Sequence, residues 1–301
     1  MNLEQFICEL SNQKIEYIEN EAMCRHTTFG IGGTADVFAT PKNPCELARV
    51  VSLAKKLDVP YLVVGNGSNL LVSDEGIEGA VIKVGDWNEI SHDGEIVTCT
   101  AGVKLANLCK YCEEQGLSGL EFGYGIPGTV GGALYMNAGA YGGEIKDVVI
   151  CSECINDDGE IIKVLADDMR LGYRTSVFKD NKNIITSVTF KLSKGERSEI
   201  RAKMDDFMGR RIAKQPLEAK SAGSTFKRPE GNFAGTLIEQ CELKGFAIGG
   251  AEVSKKHAGF VINNGNATCS DVLNLISHIQ QTVCLKTGYT LEPEVIFVGR
   301  K

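Results

Sequence analysis

The chain has 301 residues, 43% hydrophobic and 24% charged, with 7 prolines and a formal net charge of −7. That length buries roughly three quarters of the unfolded surface, enough for one large domain or two. The composition is that of a globular protein: no stretch approaches the ~18 apolar residues of a bilayer span, and no Lys/Arg block offers a nucleic-acid or anionic-membrane surface, so an anionic ligand would need a local basic pocket.

Met1-Asn2-Leu3-Glu4-Gln5 lacks the basic start of a signal peptide and leads into an amphipathic stretch, so a cytoplasmic protein is expected. Leu3, Phe6, Ile7 and Leu10 mark a first helix, and Asn43-Pro44 opens a second with Leu47, Val50, Val51 and Ala54 as its stripe. Strands are expected over 61–64, 80–84 and 96–101, between glycine-bearing turns. Leu105, Leu108, Cys109 and Cys112 recur at helical spacing. Beyond a glycine-rich segment from Gly123 to Gly143, strand-like runs return over 148–155, 161–165 and 184–192. Lys194-Gly195-Glu196 precedes a long helix carrying Ile200, Met204, Phe207, Met208 and Arg211, which places a domain boundary near residue 195. Thr268 to Asp271 reads as a capping box for a helix with Val272, Ile276, Ile279 and Val283 inward, ending at Gly288. The class is mixed α/β.

Eleven cysteines are scattered without the spacing of a small disulfide framework, so reduced thiols are expected. Cys109/Cys112 and Cys151/Cys154 have CxxC spacing, which raises a zinc reading. The first pair falls on a helix's apolar face and the second in a β-like run without a knuckle glycine, so both read as core packing and no metal is expected.

Of 34 glycines, many gather at Gly30-Ile31-Gly32-Gly33, at Gly65-Asn66-Gly67-Ser68-Asn69 and between Gly123 and Gly143. Such clusters are tight turns or cradles whose amides approach a diphosphate. Gly123-Tyr124-Gly125-Ile126-Pro127-Gly128 matches the dinucleotide pattern, but no strand precedes it and Pro127 interrupts the turn, which argues against a Rossmann site. Three later runs supply complementary chemistry: Tyr173-Arg174-Thr175-Ser176 a guanidinium, Gly223-Ser224-Thr225-Phe226-Lys227 a hydroxyl, and Leu291-Glu292-Pro293-Glu294-Val295 a carboxylate. Singly, each reads as a surface ion pair, a turn residue and a solvated strand end.

Taken in order, these runs resemble a known family. Arg25-His26-Thr27-Thr28-Phe29-Gly30-Ile31-Gly32-Gly33, Gly65-Asn66-Gly67-Ser68-Asn69-Leu70, Gly125-Ile126-Pro127-Gly128-Thr129-Val130-Gly131-Gly132-Ala133 and Met136-Asn137-Ala138-Gly139-Ala140-Tyr141-Gly142 are similar to the UDP-N-acetylenolpyruvoylglucosamine reductases, the MurB family. Ala222 to Pro229, Gly249 to Ser254 and the Glu294 run continue the match in family order; Ala219-Lys220 departs from it, standing where an aromatic and a proline are expected. The resemblance implies an FAD-binding fold of the vanillyl-alcohol-oxidase type over 1–195, with 291–301 returning to it, and a smaller α/β substrate-binding domain over 196–290. The stretch from Thr175 to Phe190 is too short for an inserted tyrosine loop, which implies the shorter type of reductase.

The implied reaction uses NADPH to reduce FAD and reduced FAD to reduce an enolpyruvyl ether of a UDP-sugar. Hydride addition to the vinyl carbon pushes charge toward the carboxylate, where Arg174 would stabilise it; Ser224 would protonate the α carbon, and Glu294 would hold the substrate carboxylate or a neighbouring donor. The resemblance assigns the flavin to Gly65, Asn66, Gly67, Ser68, Asn69, Leu70, Gly125, Ile126, Pro127, Gly128, Thr129, Gly131, Gly132, Asn137, Ala138 and Gly139. Tyr173, Lys227 and Arg228 would meet the substrate. His26 suggests a covalent flavin link, whereas the resemblance implies non-covalent FAD. Another flavoenzyme of this fold and a non-catalytic nucleotide-sugar sensor are the rival readings. The sequence sets no oligomeric state; a monomer is favoured.

Overall fold

The computed structural model describes residues 1–85 and 87–300. In chain order the elements are α1 (Leu3–Asn12), β1 (Tyr17–Ala22), β2 (Thr34–Ala39), α2 (Pro44–Lys56), β3 (Tyr61–Val64), β4 (Leu70–Val72), β5 (Ile77–Lys83), β6 (Ile90–Asp93), β7 (Ile96–Thr100), α3 (Leu105–Glu114), β8 (Leu117–Ser118), α4 (Val130–Tyr135), β9 (Gly139–Ala140) and β10 (Gly143–Glu144). There follow β11 (Val149–Ile155), β12 (Ile161–Leu165), α5 (Phe178–Asn181), β13 (Ile184–Lys191), β14 (Ser193–Lys194), α6 (Arg197–Lys214), α7 (Ala234–Gln240), β15 (Ala247–Ile248), β16 (Ala251–Val253), β17 (Val261–Asn263), α8 (Cys269–Thr287) and β18 (Ile296–Val298).

Two compact units contain them. The first is Met1–Ile18, Val37–Asn66 and Gly79–Arg210; the second is Glu19–Asp36, Gly67–Glu78 and Arg211–Lys301. Strands β1, β2 and β5, of the sheet ordered β1-β2-β5-β3, run across the division, as does α6. Lys301, the last residue of the expected returning tail, lies outside the described residues.

In the first unit the local signals work as the sequence reads. Asn43 accepts the Glu46 amide, Pro44 presets the first turn, and Leu47, Val50, Val51 and Ala54 are buried. Helix α3 buries Leu105, Leu108, Cys109 and Cys112. An antiparallel sheet of order β12-β11-β13-β7-β6 supplies the other wall of the core, with Cys154, Val188, Phe190 and Val97 buried. Strand β11 pairs with β13 through two register shifts, the irregularities expected of a bulged strand. Strand β5 begins earlier than the expected 80–84, because Gly79 interrupts the apolar run that marks it in the sequence.

The CxxC thiols lie inside this unit. Cys109 donates to the Leu120 carbonyl at 3.2 Å. Burial pushes the Cys112 thiol up to about 12 and the Cys154 thiol up to about 11. Among the described residues no three His, Cys, Asp or Glu side chains could share a metal ion.

The second unit has its own core of Leu237, Ile238, Val272, Leu275, Ile276, Ile279 and Val283, packed with Leu71 and Leu291. Thr268 and Asp271 form the expected capping box of α8, and Gly288 ends the helix in the left-handed conformation. A three-stranded antiparallel sheet orders β15-β16-β17. Strand β18 pairs parallel with β4, Ile296 opposite Leu70, so the C-terminal segment returns to residues 70–72. No described helix is long and apolar enough to cross a membrane.

Candidate active site

In the first unit, Tyr173 and Arg174 occupy the tip of a tight turn. Gly172 and Thr175 close it by exchanging backbone hydrogen bonds at 3.1 and 3.3 Å. Arg174 sits at φ +55, a left-handed conformation that costs a non-glycine residue on the order of 1–3 kcal/mol and persists only where its surroundings impose it. They do so here. The Lys179 ammonium donates to the Arg174 carbonyl at 2.7 Å, and the Ser176 hydroxyl donates to the Tyr135 carbonyl at 2.7 Å. The Asn137 amide donates to the Gly172 carbonyl at 2.9 Å. The Arg174 guanidinium lies 5.1 Å from the centroid of the half-exposed Tyr173 ring.

Asn137 is 1% exposed and also donates to Glu144 at 2.9 Å, while its oxygen accepts the Lys146 amide at 2.9 Å. With both amide donors engaged by protein, the side chain has none left for a ligand. Lys146 pairs with Glu144 at 2.9 Å. That hydrogen bond first, then Asn137 and the positive charge of Arg174, holds the Glu144 carboxyl below its ordinary value.

The glycine loops differ in what their amides do. Asn66 donates from its side chain to the Pro127 carbonyl at 3.1 Å, which brings residue 66 beside the 125–132 loop. Val130 and Gly131 spend their amides on the Val103 and Ala101 carbonyls, at 2.8 and 2.9 Å. By contrast, among the described residues no amide of Gly65, Asn66, Gly67 or Ser68 donates to a protein acceptor. Gly67 has φ +60, and a Cβ there would stand 2.1 Å from the His26 carbonyl oxygen, so no other residue fits. This run of free donors is suited to an anion such as a diphosphate.

In the second unit, residues 225–227 run as a strand-like segment between two others. Thr225 donates to the Gly259 carbonyl at 2.8 Å, and its hydroxyl accepts the Val261 amide at 2.9 Å. On the other side the Glu294 amide donates to the Thr225 carbonyl at 2.8 Å, and the Lys227 amide to the Glu292 carbonyl at 2.8 Å. This ladder sets Thr225 across from Glu294, with Ser224 one residue earlier in the segment. Gly223, at φ +77, turns the chain just before the serine. Ser224 is exposed, and among the described residues its hydroxyl has no partner. Asn69 donates from its side chain to the Glu294 carbonyl at 3.2 Å, tying the Gly-Ser-Asn loop to the carboxylate run.

The basic pair after the serine is already engaged: Lys227 pairs with Glu292, and the Arg228 guanidinium lies 3.9 Å from the centre of the Phe233 ring. His26 meets Glu21 through Nε2 at 2.9 Å. Sequence reading does not reveal Glu144 or Lys179. Neither sits in a run with a chemical signature, and the bond that joins Asn137 to the arginine turn spans 35 positions.

Comparison with known proteins identifies this arrangement. A family model described as FAD binding domain matches residues 35–165, and one described as UDP-N-acetylenolpyruvoylglucosamine reductase, C-terminal domain, matches 215–298. A protein named UDP-N-acetylenolpyruvoylglucosamine reductase from Alkaliphilus metalliredigens is 46% identical over 299 residues, covering 99% of this chain and 98% of its own. One from Clostridium perfringens is 44% identical over 300 residues, covering 100% and 98%. The solved MurB structure from Thermus caldophilus matches with a TM-score of 0.81 at 36% identity, over 94% of this chain and 98% of that one. An alkyldihydroxyacetonephosphate synthase, with a TM-score of 0.50 at 18% identity, shares the fold alone over 64% of this chain.

Fold and FAD-binding region together define a flavin-dependent oxidoreductase of mixed α/β class with the vanillyl-alcohol-oxidase type of flavin domain. The chain belongs to the UDP-N-acetylenolpyruvoylglucosamine reductase family.

Proposed function

We propose that this chain reduces the enolpyruvyl ether of UDP-N-acetylglucosamine to the lactyl ether of UDP-N-acetylmuramate, a step of peptidoglycan precursor synthesis, with NADPH as reductant and FAD held without a covalent bond. The observation that carries the reading is identity of 46% along 99% of the chain with a reductase of that name. The uncommitted amides of Gly65 to Ser68 support a cofactor diphosphate there, beside the 125–132 loop that the Asn66 side chain reaches at Pro127; the assignment of residues 137–139 to the flavin rests on the family resemblance. Pairing of His26 with Glu21 supports a histidine engaged by protein rather than by flavin.

FAD held at these loops would supply hydride transfer between NADPH and the enolpyruvyl double bond. Arg174 then faces the charge that develops toward the substrate carboxylate; its planar fork suits a carboxylate or enolate better than a lysine would. Ser224 gives its hydroxyl proton to the α carbon, and its exposed, unspent hydroxyl supports that role. Glu294 orders the substrate carboxylate or the donor beside it. Tyr173, Lys227 and Arg228 bind substrate, the two cations exchanging Glu292 and Phe233 for the diphosphate.

We assign FAD to the part over 1–195 with 291–301, and substrate binding to 196–290. A soluble substrate and the lack of a membrane-spanning helix among the described residues support a cytoplasmic enzyme, which we read as a monomer. One experiment tests the whole reading. Anaerobic NADPH should bleach the flavin of the purified protein, and UDP-N-acetylglucosamine enolpyruvate should restore its absorbance where UDP-N-acetylglucosamine does not. Failure of the enolpyruvyl compound to reoxidise the flavin refutes the reading.

A further inference from the structure

We propose that Asn137 is a positioning residue for Arg174, acting through the Gly172 carbonyl and braced by Glu144. This rests on the reading of Arg174 as the cation that faces the developing charge.

The geometry runs as a chain of short contacts inside the first unit. Asn137 ends α4 and takes φ +42, one of the left-handed conformations that asparagine tolerates better than most residues. That backbone turns its amide toward the Tyr173-Arg174 turn, where it grips the carbonyl of Gly172 at 2.9 Å. The amide's second hydrogen goes to Glu144 at 2.9 Å, and its oxygen accepts the Lys146 amide at 2.9 Å, so the group cannot rotate without breaking three bonds. Glu144 is in turn fixed by the Lys146 ammonium at 2.9 Å and by the Asp147 amide of the following 3-10 turn. The grip matters because the gripped turn carries Arg174 at φ +55, a conformation the local sequence does not favour.

Positioning predicts a particular pattern of damage. Asn137→Asp keeps the shape and the left-handed tolerance but removes both donors and sets a carboxylate against Glu144. Asn137→Gly keeps the backbone conformation and removes the side chain, and serves if the aspartate variant does not fold. In either holoenzyme, the ratio of flavin reoxidation by UDP-N-acetylglucosamine enolpyruvate to flavin reduction by NADPH should fall about 10–100-fold, the scale of a misplaced reacting group. The same change made on Arg174→Ala should move that ratio less than about twofold, because the two residues then act as one unit. Independently, amide exchange at Thr175 should speed by about tenfold while exchange in α3 holds.

Equal losses in the Arg174 and Arg174→Ala backgrounds, or unchanged exchange at Thr175, overturn the proposal. If the reduced unmutated enzyme is not reoxidised by the enolpyruvyl compound, the functional reading fails instead, and exchange at Thr175 still decides whether Asn137 holds the turn.

Discussion

Ser224 and Arg174 occupy opposite kinds of environment. Arg174 is held at a conformation arginine does not favour, by bonds to its own carbonyl and to Gly172; Ser224 projects from a strand-like segment whose neighbour Thr225 is anchored on both sides while its own hydroxyl is unspent. A cation that must sit where charge develops benefits from rigidity, and a proton donor must be accessible. Ser224→Ala should therefore leave NADPH reduction of the flavin nearly intact and slow reoxidation by the enolpyruvyl substrate about 10²–10⁴-fold, as loss of general acid catalysis does. Ser224→Cys should restore part of the rate, since a thiol also donates. Rapid-mixing spectroscopy of each half-reaction checks this, and equal slowing of both would make the serine structural. These candidate residues stand out in sequence because each lies in a compact run with its neighbours. The support for Arg174 does not, because Asn137 and Gly172 meet only after the chain has passed through the four strands β9 to β12.

At the scale of elements, legibility follows periodicity. Helices α2 and α8 announce themselves through apolar spacing and capping residues, α3 through apolar spacing alone, and four strands of the five-stranded sheet through β-branched runs, whereas β6, with Ile90 as its one β-branched residue, does not. The two-residue strands β9 and β10, and the stretch holding α7 and β15 to β17, are too short to carry a period. Capping can be tested at α8. The Asp271 carboxylate accepts the amides of Thr268 and Gly250, both at 3.1 Å, which hold its pKa below the ordinary aspartate value. A depressed carboxylate contributes stability that is present above its unfolded-state pKa and lost as pH falls through the folded one. Asp271→Asn should thus cost about 1 kcal/mol at pH 7, and the gap from the unmutated protein should begin to narrow below about pH 4 and close as the pH falls through the lower folded-state value. Urea midpoints at the two pH values measure it; a gap independent of pH would mean that the charge of Asp271 contributes nothing. In the same way Leu108→Ala on α3, which empties a fully buried site, should lower stability by about 2–5 kcal/mol in urea titration.

Across the whole molecule, two separate hydrophobic cores form from a chain that passes between the units within β1, β2, β5 and α6. Composition and length announce room for two such cores, but the interleaving is not legible in sequence, because the glycine clusters in Glu19–Asp36 and at the start of Gly67–Glu78 read as turns or ligand cradles and not as crossings between units. The flavin adds a further source of stability that depends on its concentration. A ligand that binds only the folded state stabilises by about 2.7 kcal/mol at one hundred times its dissociation constant. If FAD sits on the amides of Gly65 to Ser68 and makes no covalent bond, its effect must follow that relation and vanish on unfolding. The apoprotein, titrated with FAD, should show a thermal midpoint that climbs steadily with free flavin, and acid or guanidinium should release all of the yellow colour from the chain. Moving the Gly67 amide should weaken both responses, so Gly67→Ala, whose Cβ meets the His26 carbonyl, should bind FAD at least about tenfold more weakly by fluorescence titration. Colour that stays with the denatured chain would establish a covalent flavin instead, and an unchanged affinity in Gly67→Ala would move the diphosphate away from this loop.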